Sequence, residues 1–442
     1  MTKTKSAMPA SWNRPFGLWA CALATIAFLA TFPLAPQTLA SGRALDRSFA
    51  NGGISLVKPP RIGSVAGEAA LALTADERGR LITAGQTWGE SIYVRRYLPN
   101  GRPDQSFGDD GLVETNAGGA AAYAVDALSG GDILAAGGVE TDLVLARYRE
   151  DGGRARWFGH NGQITILGAL GSAGLLASGV QPSGRILGAG YKSSPGGDWT
   201  GLVAGYKPNG SIDRSFASDG FAELHTSRHT EVVFSGLQVL PSGKILLGGD
   251  IGGWLLLSRL LPNGEPDPSF GGGDGIVNVA ADCHCACSYA SALTIAPDGK
   301  PLLAGTVGES ALLARFTPNG RLDHSFGHHG IVRTLRGTRL VFNDATTQRN
   351  GRITATGFYN QRRSGEAQVA VLRYLPNGKL DRSFSRGGFF QHHFGRESIG
   401  YAVITQPDDR IVVAGRASFG EEFGEAPSSL EGARTMLMRF RK

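Results

Sequence analysis

The sequence predicts an all-β protein, a single β-propeller with seven four-stranded blades. Three observations predict this fold. Glycine is abundant, with 65 among 442 residues against a usual share of about 7%, which indicates many turns. A motif centred on a phenylalanine recurs seven times at nearly constant spacing. After the first forty residues, no stretch shows the sustained i, i+3, i+4 apolar spacing that predicts helices.

The first forty residues predict a secretory signal. Lys3, Lys5 and Arg14 precede an uncharged apolar run from Phe16 to Phe32, and small residues lead to Ala40. We expect residues 1–40 to be removed and the mature chain to lie in the periplasm or to be secreted. The apolar run is at the short end for spanning a bilayer, about 17 residues. An uncleaved signal is therefore the only membrane attachment we expect.

The charge balance gives no support for a nucleic-acid partner. The formal net charge is +6, but without residues 1–40 the chain has 41 basic and 38 acidic residues. No block of five or more lysines and arginines occurs in the remainder. Four cysteines are too few for a disulfide scaffold of this size.

The repeated motif is clearest in residues 97–108, YLPNGRPDQSFG, which return as YLPNGKLDRSF in residues 374–384. Successive motif phenylalanines are separated by fifty-one to fifty-eight residues. The chain therefore holds seven units in residues 41–442, each of about fifty-six residues, which is a period typical of propeller blades. The motif phenylalanines are Phe49, Phe107, Phe158, Phe216, Phe270, Phe326 and Phe384.

Each unit offers four strand candidates. The first follows the phenylalanine motif, as in residues 111–113. The second and third form a hairpin joined by Pro-Ser-Gly, at 182–184 and 241–243, or by Pro-Asp-Gly, at 297–299, in which proline and glycine favour chain reversal. The fourth ends on a basic residue and an aromatic one, as in Arg147-Tyr148. The third strand candidate contains a recurrent glycine: Gly85, Gly137, Gly190, Gly249, Gly305, Gly357 and Gly415.

Seven such units predict a closed ring because one four-stranded sheet cannot cover both of its apolar faces alone. A β-solenoid is the main structural alternative, but its coils are normally shorter. The ring closes either by blade packing alone or by a shared blade that residues 42–57 complete, and the sequence leaves both open.

The motif also resembles the delta-60 repeat, a unit of bacterial secreted and surface proteins. The resemblance covers roughly residues 42–442 and implies propeller blades and an extracytoplasmic location. It implies no catalytic residues. The third copy departs from the pattern, with Ala155 at the acidic position and Trp157 at the serine position, so we expect an altered turn there.

We interpret the motif acids as structural. Aspartate and serine side chains commonly bind backbone N–H groups in turns, and a residue repeated in every blade serves the scaffold more often than a single active site. The phenylalanine is then expected to fill the space between blades. The acidic position is held by Asp46, Asp104, Asp213, Asp267, Asp323 and Asp381.

Cys283, His284, Cys285 and Cys287 form the most singular sequence feature. Thiols and an imidazole suit Zn²⁺ or Cu⁺, which makes them the candidate metal ligands. A disulfide or inert thiols, and a redox or intermolecular bridge, remain alternatives. A second candidate is the group of histidines at 324, 328, 329, 392 and 393, which would bind metal if they met at one end of the channel; exposed turn positions are the alternative. The sequence identifies no cofactor.

No Gly-x-Ser-x-Gly, His-Glu-x-x-His or P-loop motif occurs. We therefore expect a monomeric, non-enzymatic scaffold that binds an unidentified protein or glycan. Loops that vary between units carry that expectation: 114–121, 192–200, 279–288, 335–341, 359–367 and 416–431. The alternative is a propeller enzyme, a hydrolase or lyase acting on glycans or lactones at the channel mouth, whose residues would come singly from several blades.

Overall fold

The computed structural model describes eleven segments of the chain: residues 44–59, 67–87, 91–139, 142–166, 173–193, 199–224, 231–281, 288–335, 339–360, 366–419 and 432–442. Their regular structure is entirely β, in 28 strands that form seven four-stranded antiparallel sheets. Within these segments, no helix has the length and apolar character needed to cross a membrane. The predicted seven-bladed propeller is confirmed. The predicted signal, residues 1–40, lies outside the described residues.

Six blades are consecutive meanders of four strands. Blade 1 contains β2 (Glu68–Ala75), β3 (Leu81–Thr87), β4 (Ser91–Tyr97) and β5 (Leu112–Asn116). Blade 2 contains β6 (Ala121–Ala127), β7 (Ile133–Val139), β8 (Asp142–Tyr148) and β9 (Gln163–Ile166). Blade 3 contains β10 (Ala173–Val180), β11 (Ile186–Ser193), β12 (Trp199–Tyr206) and β13 (Phe221–Leu224).

The remaining meanders follow the same order. Blade 4 contains β14 (Val232–Val239), β15 (Ile245–Ile251), β16 (Trp254–Leu260) and β17 (Ile276–Val279). Blade 5 contains β18 (Ser288–Ile295), β19 (Pro301–Val307), β20 (Ser310–Arg315) and β21 (Ile331–Thr334). Blade 6 contains β22 (Arg339–Thr347), β23 (Ile353–Asn360), β24 (Ala367–Tyr374) and β25 (Phe389–His392).

Blade 7 joins the two ends of the described chain. It contains β26 (Glu397–Thr405), β27 (Ile411–Ser418), β28 (Ala433–Phe440) and β1 (Ile54–Val57). Strand β1 pairs antiparallel with β28, so that Leu56 lies opposite Met436. Of the two closures that the sequence left open, the shared blade is therefore the observed one. Each sequence repeat begins with the outer strand of one blade and continues with the three inner strands of the next.

The first strand of each blade lies nearest the ring axis, and these strands contact one another around the ring. Seven clusters of buried apolar side chains fill the seven spaces between adjacent blades. Burial between sheets is thus the main stabilising contribution, as expected for sheets that are apolar on both faces.

The recurrent glycine of the second strand has a steric cause. A β-bulge interrupts the pairing of the first and second strands in every blade, opposite this glycine. A Cβ at Gly85 would lie 1.9 Å from the carbonyl oxygen of Ala69, and the other six positions are equally close to backbone. Only glycine fits, because the bulge brings two backbones together.

Candidate functional site

The connections between strands divide the ring into two faces. In a meander, the turns from first to second strand and from third to fourth strand lie at one end of the blade. The hairpins from second to third strand and the crossings to the next blade lie at the other end. We call these ends the uniform face and the variable face, because their connections differ in regularity.

Connections on the uniform face hardly change around the ring. The turn from first to second strand has five residues in all seven blades, from 76–80 in blade 1 to 406–410 in blade 7. The connector from third to fourth strand has the same length, fourteen residues, in most blades, as in 98–111 and 149–162.

Connections on the variable face differ widely. The hairpin from second to third strand has two residues at 252–253 but fourteen at 419–432. The crossing to the next blade ranges from four residues at 117–120 to ten at 58–67. The six loops singled out from the sequence all belong to this face. The variable face is therefore the candidate recognition surface.

The motif acids on the uniform face bind their own turns. In all six copies, one aspartate oxygen accepts hydrogen bonds from the backbone N–H, at 3.0–3.1 Å, and from the hydroxyl, at 2.6–2.7 Å, of the serine two residues on. The hydrogen bond from Ser215 lowers the pKa of Asp213 to about 2, although burial acts in the opposite direction.

The other aspartate oxygen binds an arginine that we call the clasp arginine. In five blades this residue comes from the third strand, and its Nε lies 2.6–2.9 Å from the aspartate Oδ2. Its guanidinium carbon lies 4.4–4.8 Å from the centroid of the motif phenylalanine ring. These arginines are Arg96, Arg259, Arg315, Arg373 and Arg439.

The clasp also joins neighbouring blades. Nη1 of Arg439 in blade 7 donates to the carbonyl of Pro99 in blade 1 at 2.7 Å, and Arg259 in blade 4 reaches Pro318 in blade 5 at 2.9 Å. The motif phenylalanine lies fully buried beneath the next turn: a Cβ on Gly101 would be 2.3 Å from the Phe49 ring. These contacts assign the repeated motif to the blade joints.

Two blades form the clasp differently. In blade 3, Gly205 occupies the usual arginine position, and Arg185 of the adjacent turn donates to Asp213 instead, at 2.7 Å. In blade 2, which lacks the motif acid, Asp132 accepts from Arg147 Nε at 3.0 Å. The turn around Ala155, where we expected an alteration, keeps the usual connector length. The carboxylate that the motif acid supplies in other blades comes here from Asp132 of the neighbouring turn.

The predicted metal ligands have different positions. Cys283, His284, Cys285 and Cys287 lie outside the described residues, between Ala281 and Ser288, and remain a prediction. The rings of His324 and His329 are 5.5 Å apart on the exposed blade 5 connector of the uniform face. His392 ends β25 at the opposite face and His393 follows it, so the two histidine groups do not meet. In the described part of the chain, no three His, Cys, Asp or Glu side chains are placed to hold a metal ion.

An aromatic group lies on the variable face between blades 2 and 3. The rings of Tyr191 and Trp199 stack with centroids 4.7 Å apart and planes at 10°. Gly174 provides the room, because a Cβ there would lie 3.2 Å from Tyr191. Tyr123, the bulged residue of β6, lies nearby; burial raises its pKa to about 12, with a contribution from Tyr191. Both Tyr191 and Trp199 remain partly exposed at the end of their hairpin.

A carboxylate with an unusual pKa lies on the same face in blade 4. Burial, followed by the charge of Glu231, raises the pKa of Asp250 at the end of β15 to about 7. Two other acids at this face have cationic partners: Glu68 binds Arg95 at 3.0 Å, and Glu397 binds Arg416. No cation among the described residues pairs with Asp250, so this carboxyl can exchange a proton near neutral pH.

The channel wall is polar in blades 4 to 7. Ser235 Oγ donates to the carbonyl of Ala290 at 2.6 Å, and Asn343 Nδ2 donates to Gly400 at 2.8 Å. Asp344 accepts from the backbone N–H of Val403 at 2.7 Å, and burial raises its pKa to about 7. These groups form hydrogen bonds between the first strands of neighbouring blades, so their hydrogen-bonding capacity is used within the ring.

Sequence reasoning missed the clasp arginine, the aromatic stack and Asp250. The arginine had a signal, because the basic-aromatic pair recurs at the end of most third strands. The Tyr191–Trp199 stack and Asp250 each occur in a single blade, so a comparison of the repeats does not predict them.

Parts of the chain match a family model. Five segments match the family described as "Domain of unknown function (DUF5122) beta-propeller": residues 79–107, 181–216, 240–270, 296–326 and 348–384. The chain thus contains repeats of a β-propeller family. Comparison with curated proteins gives no match.

Several solved structures are similar to the chain. A catalytically inactive virginiamycin B lyase from Staphylococcus aureus, with quinupristin, is 9% identical with a TM-score of 0.45, over 87% of this chain and 99% of that one. A protein of unknown function from Dyadobacter fermentans is 14% identical with a TM-score of 0.43, over 88% and 100%. The PQQ-bound aldose sugar dehydrogenase from Streptomyces coelicolor is 14% identical with a TM-score of 0.40, over 72% and 97%. At these identities the likeness concerns the fold alone.

Proposed function

We propose that the protein is an extracytoplasmic, monomeric propeller of the delta-60 repeat type that acts as a non-enzymatic binding scaffold. It presents the variable face to a glycan or protein ligand. The observation that carries the proposal is the contrast between the faces. On the uniform face the turns all have five residues and the connectors have fourteen or fifteen, whereas the hairpins of the variable face differ from two to fourteen residues.

The aromatic group supplies a contact surface for a glycan. Aromatic faces carry negative charge density and attract the weakly positive C–H groups on the flat side of a sugar ring. The parallel stack of Tyr191 on Trp199 holds both rings at a fixed orientation, so little side-chain entropy is lost on binding.

The binding test compares single substitutions on the two faces. Trp199→Ala and Tyr191→Ala should remove binding of the purified mature chain to members of a glycan array. Leu98→Ala, which removes an exposed apolar side chain from the uniform face, should leave binding unchanged. Equal binding by all three variants, or an array without any bound glycan together with no binding to intact cell surfaces, would contradict the proposal.

The location is tested separately. Mass spectrometry of the exported protein should find an amino terminus at Ser41, and fractionation should find the chain in the periplasm or medium. A cytoplasmic chain that retains residues 1–40 would overturn this part. A retained signal in the membrane fraction would identify the anchored alternative.

A second candidate function is hydrolysis or elimination on glycans or lactones. Asp250 favours it, because a carboxyl with a pKa of about 7 can donate or accept a proton at neutral pH. A panel of lactones and glycans should then show turnover that Asp250→Asn abolishes. The pH-rate profile should have an inflection near pH 7. Turnover unaffected by Asp250→Asn would exclude this carboxyl.

A further inference from the structure

The blade 2 connector, residues 149–162, departs from every other connector of the uniform face. The usual proline is replaced by Glu150, the motif acid by Ala155, and the serine by Trp157. The connector still has the usual length, and Phe158 is still fully buried. The scaffold is therefore preserved while the exposed side chains have changed.

Trp157 stands where the other six copies place a serine that binds the motif acid. Its side chain is 55% exposed, the largest exposed apolar fraction in the described chain. The guanidinium carbon of Arg147 lies 4.3 Å from the indole centroid and covers one ring face. The indole is thus held flat by a cation–π contact and has a face available to a ligand.

Trp157 borders an open depression of about 590 Å³ that is also lined by Arg149, Arg154, Arg156 and Asn161. This volume lies within the range of about 300–1,000 Å³ typical of ligand clefts. Arg149 contacts Asp151 at 3.2 Å, on the exposed surface. No acid among the described residues pairs with Arg154 or Arg156.

A neighbouring depression provides a contrast. It contains Arg78, Arg80 and Arg96, but each of these cations already has an acidic partner. The depression beside Trp157 differs because Arg154 and Arg156 have no such partner among the described residues. Arg147, which covers the indole, is paired with Asp132 of the turn at 128–132.

We propose that the depression beside Trp157 binds an acidic polysaccharide, a chain of sugars that carry carboxylate groups. A guanidinium binds a carboxylate through two parallel hydrogen bonds. The exposed indole face supplies the stacking surface for a sugar ring. This site lies on the face opposite the aromatic group of Tyr191 and Trp199, so it adds to the proposed function and does not depend on it.

The surroundings favour a polyuronate over a nucleic acid. Only two cations of the depression, Arg154 and Arg156, have no acidic partner among the described residues, which is few for a densely charged phosphate backbone. Proteins that bind single strands usually stack successive bases on several aromatic side chains along a basic groove. This depression has one exposed aromatic side chain and separate cations, which suits a polymer with one carboxylate on each sugar.

The test measures binding of the mature chain to alginate, a polyuronate, by titration calorimetry at low and high ionic strength. Dextran, a neutral polymer, and single-stranded DNA are the comparison ligands. Alginate should bind, dextran should not, and salt should weaken binding because exposed charges are screened. Arg154→Gln with Arg156→Gln should weaken binding about tenfold or more, as expected for lost charge-assisted hydrogen bonds.

Trp157→Ser restores the residue found in the other six copies, so it is expected to fold and should weaken alginate binding to a similar extent. The matched control is Arg214→Gln with Arg382→Gln, because both arginines are exposed and hold the position of Arg156 in other connectors. This control should bind alginate normally.

Absence of alginate binding, or binding equally affected by the control, would overturn the proposal. Tighter binding of DNA at the same residues would replace the polyuronate with a nucleic acid. Loss of alginate binding in Trp199→Ala but not in Trp157→Ser would move the ligand to the variable face and leave the proposed function standing.

Discussion

The uniform and variable faces belong to the same seven blades but differ in how far their residues are free to change. On the uniform face, most connectors carry an acid and a buried phenylalanine, which bind the next blade together with an arginine from the third strand of the same blade. On the variable face, hairpins of two and fourteen residues close equally regular strands. Repetition in this molecule therefore identifies the joints, and departures from repetition identify candidate binding surfaces.

Blade 2 shows that the division is not absolute. Its connector belongs to the uniform face, yet it has exchanged the motif acid and serine and exposes Trp157. The joint survives because Asp132 replaces the missing carboxylate. A departure within a constrained region is more informative than one in a loop, because the joint then depends on a second residue, Asp132, that also differs from the other copies.

The largest effect is expected at a joint. Phe107→Ala should lower the free energy of unfolding by about 3–5 kcal/mol, the cost of removing a fully buried phenylalanine. Urea unfolding measures this. The matched change on the variable face is Trp254→Ala, where the side chain is 43% exposed and the expected loss is below about 1 kcal/mol. A loss below about 1 kcal/mol for Phe107→Ala would refute its role in the joint.

The next effect concerns a clasp. Asp323→Asn should cost about 2–3 kcal/mol near pH 7, because it leaves Arg315 without its charged partner. Burial acts to raise the pKa of Asp323, but hydrogen bonds from Ser325 and Lys300 outweigh it and hold that pKa below its ordinary 3.8. The stabilisation is therefore present at neutral pH and lost as pH falls below about 4. The difference between variant and parent should shrink in acid; a constant difference would contradict the charge argument.

Asp250 on the variable face should respond to pH in the opposite direction. Its pKa is raised to about 7, so the folded state favours the protonated form and loses stability as pH rises from about 4 to about 7. Asp250→Asn should be more stable than the parent by about 1–3 kcal/mol at pH 8 and nearly equal near pH 4. Thermal unfolding across this range tests it. Glu231→Gln, which removes the second cause, should give a smaller gain of the same sign.

The smallest effect separates blade 2 from the other joints. Asp132→Ala should cost about 1 kcal/mol, since the pair with Arg147 is partly exposed. Adding Ala155→Asp restores the acid found in six copies and should recover most of the loss. Urea unfolding of both variants measures the recovery. Failure of the second change to restore stability would show that Asp132 does not replace the motif acid.

The sequence alone predicts the architecture because the joints repeat. Seven copies of one motif define the number of blades, and the bulge glycines and connector turns follow from the same pattern. The choice of closure depends on which strand pairs with β28, and the motif does not encode that choice. The use of Arg185 in place of an arginine at Gly205 depends on the reach of a side chain between adjacent strands, which residue spacing does not show.

The candidate site was less predictable. Comparison of the units singles out six variable loops, since differences in their lengths can be read from the repeat. The Tyr191–Trp199 stack could not be found in this way, because it depends on room left by Gly174 in another strand. The pKa of Asp250 likewise follows from burial and from Glu231 across a hairpin, and neither can be obtained from one copy of the repeat.

The shared blade has a consequence for the order in which the protein folds. Asp46 and Arg439 are 393 positions apart, and their pairing closes the ring. Every other sheet pairs strands that are neighbours in sequence, so blades 1 to 6 can form as the chain emerges. Blade 7 cannot be completed until β28 has been synthesised and pairs with β1. Joining such distant segments has an entropic cost, which slows folding. We therefore expect a long-lived folding intermediate in which the ring of blades is still open. The exposed edges of blade 1 and blade 7 would be its aggregation-prone sites.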